Sequence, residues 1–367
     1  MTASFPIYLV STPGLETPLC AEALEHGFKG AHVVEGGVAF AGGWPDIWRA
    51  NLKLRGATRV LARIGEFRAM HLAQLDKRSR KIAWGDFLRP DVPVRVEANC
   101  KRSRIYHDGA AAQRVSKAIA EEFGAPIAED AALRIMVRIE DDLVTLSIDT
   151  TGESLHKRGF KEAVSKAPMR ETMAAMFLRQ CDYRATEPVL DPMCGSGTFV
   201  IEAAEIALGL DPGRERTFAF ESLPSFNAAA WQALRADTVP RTVDLRFHGS
   251  DRDAGAIRMA TENATRAGVS ALVEFQQRSI ADLEPPPGAP GLIILNPPYG
   301  TRIGDKAPLV TLHRTLGQVL KTRFGGWRVG IITADKSLAQ ATGLKFGPAL
   351  PTVLHGGLQV ALYRAQL

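Results

Sequence analysis

No apolar run in this 367-residue chain approaches the roughly 18–20 residues that a membrane-spanning helix needs, so a soluble protein is expected. The first residues, MTASFPIYLVSTPGLE, carry no basic leader and no long apolar core, and no signal peptide is expected. Cysteine is scarce. Cys20, Cys100, Cys181 and Cys194 stand apart without CxxC spacing. That scatter excludes a disulfide framework and a zinc site, so no metal is expected, and it suits the reducing cytoplasm. Neither sign of charge dominates. The 45 Lys and Arg outweigh 40 Asp and Glu by only +5, which by itself weakly suggests a polyanionic partner. What remains is an ordinary globular composition, 46% hydrophobic and 23% charged. The length suits two or three domains, each with its own core.

The placement of the charge is more informative than its sum. Lys77, Arg78, Arg80 and Lys81 cluster, and Arg89, Arg95, Lys101, Arg102 and Arg104 follow, with Tyr106 and His107 beside them. Such a run is either the solvated face of a folded domain or a phosphate-contacting surface. Composition does not choose between them.

The chain divides by pattern. Residues 1–43 alternate short apolar runs with Gly-rich breaks around one helical segment, Leu15–His26, which predicts a small α/β unit. Residues 44–152 predict a helix (WPDIWRANLKLR), a strand (RVLARIGEF), a basic helix, a strand (VPVRVEA), a helix (AAQRVSKAIAEEFG) and a hairpin. The hairpin strands LRIMVRIE and LVTLSIDT flank a turn at Asp141–Asp142. Residues 153–163 form a polar connector. From 164 to 367, apolar strands (PVLDPM, VDLRFHGSD, ALVEFQQ, GLIILN, WRVGIIT) alternate with helices, the mark of βαβ units and a mostly parallel sheet covered on both faces. The last run, GLQVALYR, is expected to pair antiparallel at one edge.

Residues 189–204, VLDPMCGSGTFVIEAA, read as strand, tight glycine turn and helix. Gly195 and Gly197 let the backbone approach a ligand where a Cβ would collide. Asp191 precedes them, and a later strand ends in Asp251 and Asp253, where a carboxylate can hold two ribose hydroxyls. A nicotinamide fingerprint wants a third glycine on the helix and an acid about 20 residues on. Here Thr198, Phe199 and Val200 follow Gly197, and the acid comes only after a long insertion, roughly 209–243. No lysine follows the loop, so it is not a Walker motif. A nucleoside without pyrophosphate fits better, and S-adenosyl-L-methionine is the expected cofactor.

A second stretch, LIILNPPYG, runs from Leu292 to Gly300. Two adjacent prolines donate no backbone hydrogen bonds, so the strand stops at Asn296, Pro297, Pro298 and Tyr299. That turn falls at the carboxyl end of the sheet, where open α/β folds bind ligands. It suits methyl transfer to an exocyclic amine, whose lone pair is delocalised into the base. Two acceptors aimed at its hydrogens, the Asn296 side-chain oxygen and the Pro297 carbonyl, draw the nitrogen toward tetrahedral geometry. The prolines hold the carbonyl rigid, which preorganises the site. Tyr299 offers a face for a base taken out of its stack. No strong general base is needed.

These residues carry a resemblance. DPMCGSGTFVIEAA with NPPYGTRIG resembles the class I amino-methyltransferases of nucleic acids. ANLKLRGATRVLARIGEF, SRIYHDGAAAQRV and GESLHKRGF resemble bacterial enzymes with a THUMP RNA-binding domain ahead of the methyltransferase. The nearest likeness is to the N-terminal half of the RlmL-type 23S rRNA guanine-N2 methyltransferases. The resemblance implies an α/β fold: a ferredoxin-like part (1–43), a THUMP domain (44–152), the connector (153–163) and a Rossmann-like methyltransferase domain with a mostly parallel sheet (164–367). It also implies that Lys77, Arg78, Arg80, Lys81, Lys101, Arg102, Arg104, Lys157 and Arg158 contact RNA. Met193, Thr198 and Asn296 join Asp191, Gly195, Gly197, Asp251 and Asp253 around the cofactor.

The chain departs from that pattern in two ways. The enteric enzyme is fused to a second methyltransferase that this chain lacks, so one modification is expected. The acid expected after the third strand is replaced by Ser279, with Asp282 three residues on, and either could meet the adenine. Cys194 reads as a packing residue, His156 as a possible phosphate contact, and His107 and His313 as structural. The expectation is therefore a monomeric, cytoplasmic methyltransferase acting on the 2-amino group of a guanosine in 23S rRNA. A tRNA guanine-N2 enzyme, a DNA adenine-N6 enzyme, a non-catalytic ribosome-assembly factor and a nicotinamide oxidoreductase are its rivals.

Overall fold

The computed structural model describes residues 4–161, 169–299 and 306–367. The chain forms two compact units. The first comprises Met1–Ser11, Cys20–Leu155 and Arg216–Asp237, and the second comprises Thr12–Leu19, His156–Glu215 and Thr238–Leu367.

The first unit is built on one seven-stranded sheet. Its elements in chain order begin with β1 (Phe5–Val10), α1 (Glu16–Glu25, shared with the second unit), β2 (His32–Val34), β3 (Gly37–Gly42) and α2 (Trp44–Lys53). They continue with β4 (Arg59–Arg68), α3 (Leu72–Ser79), β5 (Val94–Lys101), α4 (Asp108–Glu122), β6 (Leu133–Glu140) and β7 (Leu143–Asp149). The strand order is β2-β3-β1-β4-β7-β6-β5, with only β5 and β6 parallel. On β6 the two-residue period is strict: Leu133, Ile135, Val137 and Ile139 are buried, while Arg134, Met136, Arg138 and Glu140 are half-exposed. The β6–β7 turn falls on Asp141 and Asp142, whose φ of 50° and 61° mark a two-residue primed turn that short polar side chains tolerate. Because β1 pairs with β4, the sheet runs unbroken across residue 43.

The second unit begins with α5 (Glu171–Gln180), β8 (Val189–Asp191) and α6 (Thr198–Leu208). Next in the chain comes α7 (Ala228–Ala236), which belongs to the first unit. There Trp231 meets Phe220 at 5.1 Å, and Phe220 stacks on Phe218 at 5.2 Å and on Trp48 of α2 at 6.2 Å. The insertion expected near 209–243 thus contributes an aromatic cluster to the first unit. Each ring pair adds about 0.5–1.5 kcal/mol beyond area burial.

The second unit resumes with β9 (Phe247–Asp251), α8 (Ala254–Arg266), β10 (Val273–Gln277) and β11 (Leu292–Leu295). It ends with α9 (Lys306–Arg323), β12 (Arg328–Thr333), α10 (Lys336–Ala341), β13 (Val353–His355) and β14 (Leu358–Gln366). Its sheet runs β10-β9-β8-β11-β12-β14-β13, parallel through β12. β14 pairs antiparallel as expected, though with β12 on one side and β13 outside it rather than at the edge itself. All four residues of β11 are at most 1% exposed, and Ile293 and Leu295 pack among Leu316, Leu320, Phe324 and Ile331. A continuous apolar strand of this kind belongs in the middle of a parallel sheet. Strand order reverses direction between β8 and β11, so the loops leaving those two neighbours diverge and leave a crevice at their carboxyl ends.

Candidate active site

β8 delivers Asp191 to that crevice, and the glycine turn follows. Asp191 is 2% exposed, and its Oδ1 accepts from the Met193 N–H at 3.0 Å. Burial pushes its pKa up to about 8; the Met193 bond opposes the rise and the Asp251 charge adds to it. Gly195, with φ of 51°, donates its N–H to Asp251 Oδ2 at 3.0 Å, while Asp251 Oδ1 accepts from the Asp253 N–H at 3.0 Å. Asp253 caps α8 by accepting from the Gly255 N–H at 2.7 Å. One oxygen of this carboxylate, expected from the sequence to face the ribose, therefore serves the helix.

Gly197 has φ of 83°, and a Cβ there would lie 3.0 Å from Phe275, 3.1 Å from Ala260 and 3.2 Å from Ile201. The space spared at Gly197 is thus filled by the protein's own packing, not by a ligand. Gly249 does similar work: a Cβ there would sit 2.5 Å from the Phe275 ring and 3.2 Å from the Cys194 Cβ. Asn263 is fully buried and donates from Nδ2 to the Ser196 carbonyl at 3.1 Å, tying the turn to α8. Cys194 is buried and burial holds its thiol protonated, so it is a packing residue. Ser279 and Asp282, weighed as alternatives from sequence, bond to each other, the serine hydroxyl donating at 2.6 Å; both are exposed.

Lys161 reaches the start of α6 just after the turn. It donates to the Thr198 hydroxyl at 2.9 Å and to the Met169 carbonyl at 3.1 Å, and it pairs with Glu171 at 2.9 Å. Its charge is spent inside the protein. The turn, the Asp251 carboxylate and the internal pairing of Lys161 fit a nucleoside without pyrophosphate.

β11 delivers the second loop to the same crevice. Asn296 is half-buried, yet its Oδ1 is shielded from solvent and has no hydrogen-bond partner among the described residues. An orphaned buried acceptor costs roughly 1–3 kcal/mol, a cost that a bound donor removes. Pro297 is buried, Pro298 exposed and Tyr299 half-buried. The Tyr299 hydroxyl lies 3.0 Å from Nδ1 of His355, and burial pushes its pKa up to about 12, so it stays an O–H donor at neutral pH. His355 had no distinguishing sequence signal, standing 56 residues away at the end of a short strand. The GTRIG residues 300–304 and the connector residues 162 and 163 lie outside the described residues.

The basic run in the first unit separates into two kinds of residue. Lys77, Arg78 and Lys81 are exposed and form no ion pair among the described residues. Arg80 is tied to Asp76, Glu121 and Glu122 at 2.8, 2.7 and 2.6 Å. Lys101 pairs with Glu35 and Glu140, Arg102 with Glu140 and Asp141, and Arg104 with Asp142. In the second unit Lys157 is exposed, but Arg158 is 1% exposed and paired with the equally buried Glu202 at 3.2 Å. The phosphate contact expected of Arg158 is therefore withdrawn: it is a core ion pair. Burial, reinforced by the nearby Arg170 and Arg158 charges, lowers the His156 pKa to about 4, leaving it neutral.

Comparison with known proteins bears on the same residues. A family described as "RMKL-like, methyltransferase domain" matches residues 158–350, and the RlmL ferredoxin-like domain matches residues 6–61. A protein of Synechocystis sp. PCC 6803, whose name provisionally makes it an RNA methyltransferase, is 32% identical over 99% of this chain and 97% of its own length. The ribosomal RNA large subunit methyltransferase K/L of Allochromatium vinosum is 34% identical over 98% of this chain and 52% of its own. The chain thus spans about half the length of the K/L proteins it matches.

Two solved structures share the fold throughout. SMU.472, named provisionally as a methyltransferase and solved with SAH, has a TM-score of 0.91 and 29% identity over 100% of this chain and 99% of its own. A Listeria monocytogenes protein, described as a predicted N6-adenine-specific DNA methylase, has a TM-score of 0.88 and 31% identity over 99% and 96% of the two chains. The glycine turn and the Asn-Pro-Pro-Tyr turn, brought together at one strand reversal, both fall inside the matched segment 158–350, and with more than half of its length so matched the chain belongs to the RMKL-like methyltransferase-domain family.

Proposed function

We propose that this protein is an S-adenosyl-L-methionine-dependent RNA methyltransferase that modifies the exocyclic 2-amino group of a guanosine in large-subunit ribosomal RNA. One observation carries the reading: Asn296 Oδ1 is a shielded acceptor without a partner among the described residues, placed at the strand reversal beside the glycine turn. An exocyclic amine supplies the donor that this oxygen lacks. The cofactor, when bound, supplies an electrophilic methyl group. Asp251 and the Gly195 backbone would hold its nucleoside end.

The chain's own residues do the rest. Asn296 Oδ1 and the Pro297 carbonyl accept the two amino hydrogens, which draws the lone pair out of the ring's π system. Adjacent prolines keep that carbonyl from turning, so the acceptors need no reorganisation during reaction. Tyr299 supports the extruded base. Once methylated, the nitrogen is an N-methylammonium whose extra proton is acidic and leaves to solvent without a dedicated base.

Ribosomal RNA as substrate is supported by the names of the K/L relatives. Exposed Lys77, Arg78 and Lys81 on a THUMP-like first unit would supply phosphate contacts. The Listeria neighbour's description favours a second reading, adenine-N6 methylation of DNA. Incubation with methyl-labelled cofactor and either rRNA or DNA, followed by nucleoside mass spectrometry, separates the two. N2-methylguanosine from rRNA is the expected product; N6-methyladenine from DNA would replace this reading by the other. Asn296→Ala should lower turnover by about 10²-fold or more, the usual cost of one preorganised polar group. SAH affinity by calorimetry should stay nearly unchanged, and normal turnover in this variant would defeat the mechanism.

A further inference from the structure

The loop that follows β11 leaves the sheet at two prolines, and among the described residues no strand pairing holds Tyr299. Tyr299 is nevertheless held. Its hydroxyl, at the far end of the ring from the chain, lies 3.0 Å from Nδ1 of His355. His355 is 7% exposed and is the last residue of β13, directly before the two-residue turn Gly356–Gly357. Those glycines have φ of 58° and 83°, so the hairpin to β14 is tight, and His355 is paired in register with Leu358. β14 in turn is paired with β12 in the sheet from Ala361 to Gln366. The imidazole is therefore carried by a rigid element, whereas the tyrosine is carried by a loop.

From this we infer that His355 is a positioning residue: it fixes the tilt of the Tyr299 ring so that the ring presents one face to the extruded purine. The inference rests on the proposed role of Tyr299 as the base platform. A ring held at its Cβ and at its hydroxyl has two fixed points, and cannot swing across the crevice. A phenylalanine in its place would have one. With its proton on Nε2, the imidazole accepts from the tyrosine hydroxyl, and a neutral hydrogen bond of this kind contributes most where water is excluded. Stacking acts on the bound base before and during reaction alike, so the consequence falls chiefly on KM for the RNA.

The test uses the full chain with rRNA as substrate and four variants. Tyr299→Phe removes one oxygen and keeps the ring, so it leaves folding intact. Its kcat/KM should fall by about 3- to 10-fold, the equivalent of one neutral hydrogen bond, mostly in KM, with SAH affinity by calorimetry unchanged. His355→Ala should show the same loss, and the double variant no further loss, because both remove one interaction. His355→Asn, whose side-chain amide reaches the position of Nδ1, should restore most of it. Losses that multiply in the double variant, a wild-type Tyr299→Phe, or an asparagine no better than alanine would each overturn the inference. Tyr299→Ala keeps this outcome apart from failure of the platform itself. Full activity in Tyr299→Ala would remove the platform reading, whereas lost activity there with wild-type Tyr299→Phe and His355→Ala would remove only the role of His355.

Discussion

Asp191 illustrates how a single buried group couples the cradle to solution conditions. Its carboxyl is held at about 8 by burial, against roughly 3.9 in an exposed chain. Between those values the folded protein binds a proton that the unfolded chain has released, so stability falls as pH rises from about 4 toward 8. Asp191→Asn keeps the shape and removes the titration. Thermal denaturation of the cofactor-free protein at pH 5 and pH 9 should show the variant gaining on wild type at the higher pH; equal pH slopes would show that Asp191 is not protonated when folded. Asn296 belongs to the same scale, since its oxygen, without a partner among the described residues, is a local cost that a bound donor relieves.

At the scale of elements, the cofactor cradle depends on how closely β8, β9 and β10 approach. Gly249 is paired with Asp191 on one side and Phe275 on the other, and a methyl group there meets the Phe275 ring at 2.5 Å. Gly249→Ala should destabilise by about 1–3 kcal/mol through overpacking and weaken SAH binding, both measurable by denaturant unfolding and calorimetry. The strands themselves were legible in the sequence because their signals are local. LIIL before two prolines can only be a buried strand that stops, and GSG between a strand and a helix can only be a tight turn. What was not legible is what those elements meet. Phe275 fills the space at Gly197, Asn263 pins Ser196, and His355 reaches Tyr299, each across tens of residues that no local pattern connects. Arg158 sits in a run of polar residues and looks solvated, but its burial against Glu202 is decided entirely by tertiary packing.

Over the whole molecule, charge and chain course decide behaviour. Neutralising Lys77, Arg78 and Lys81 together should weaken RNA binding at low salt. It should also reduce the slope of log affinity against log salt by roughly 2–3, since each phosphate contact contributes about 0.7–0.9. Arg80→Gln is the matched control: its three carboxylate partners already hold it, so it should leave that slope unchanged while loosening α3 from α4. An unchanged slope in the triple variant would place the RNA surface elsewhere.

The compact units are not contiguous in sequence. The first takes back Arg216–Asp237 from within the stretch that otherwise builds the second, and the second takes Thr12–Leu19 from within the first. This protein is therefore not two beads that scissors could part. A fragment beginning at residue 164 would carry Phe218, Phe220 and Trp231 stripped of Trp48. Such a piece should precipitate where the intact chain remains in solution, and light scattering of the two would show it. Swapping either half for a relative's would fail for the same reason unless the borrowed loop travelled with its host.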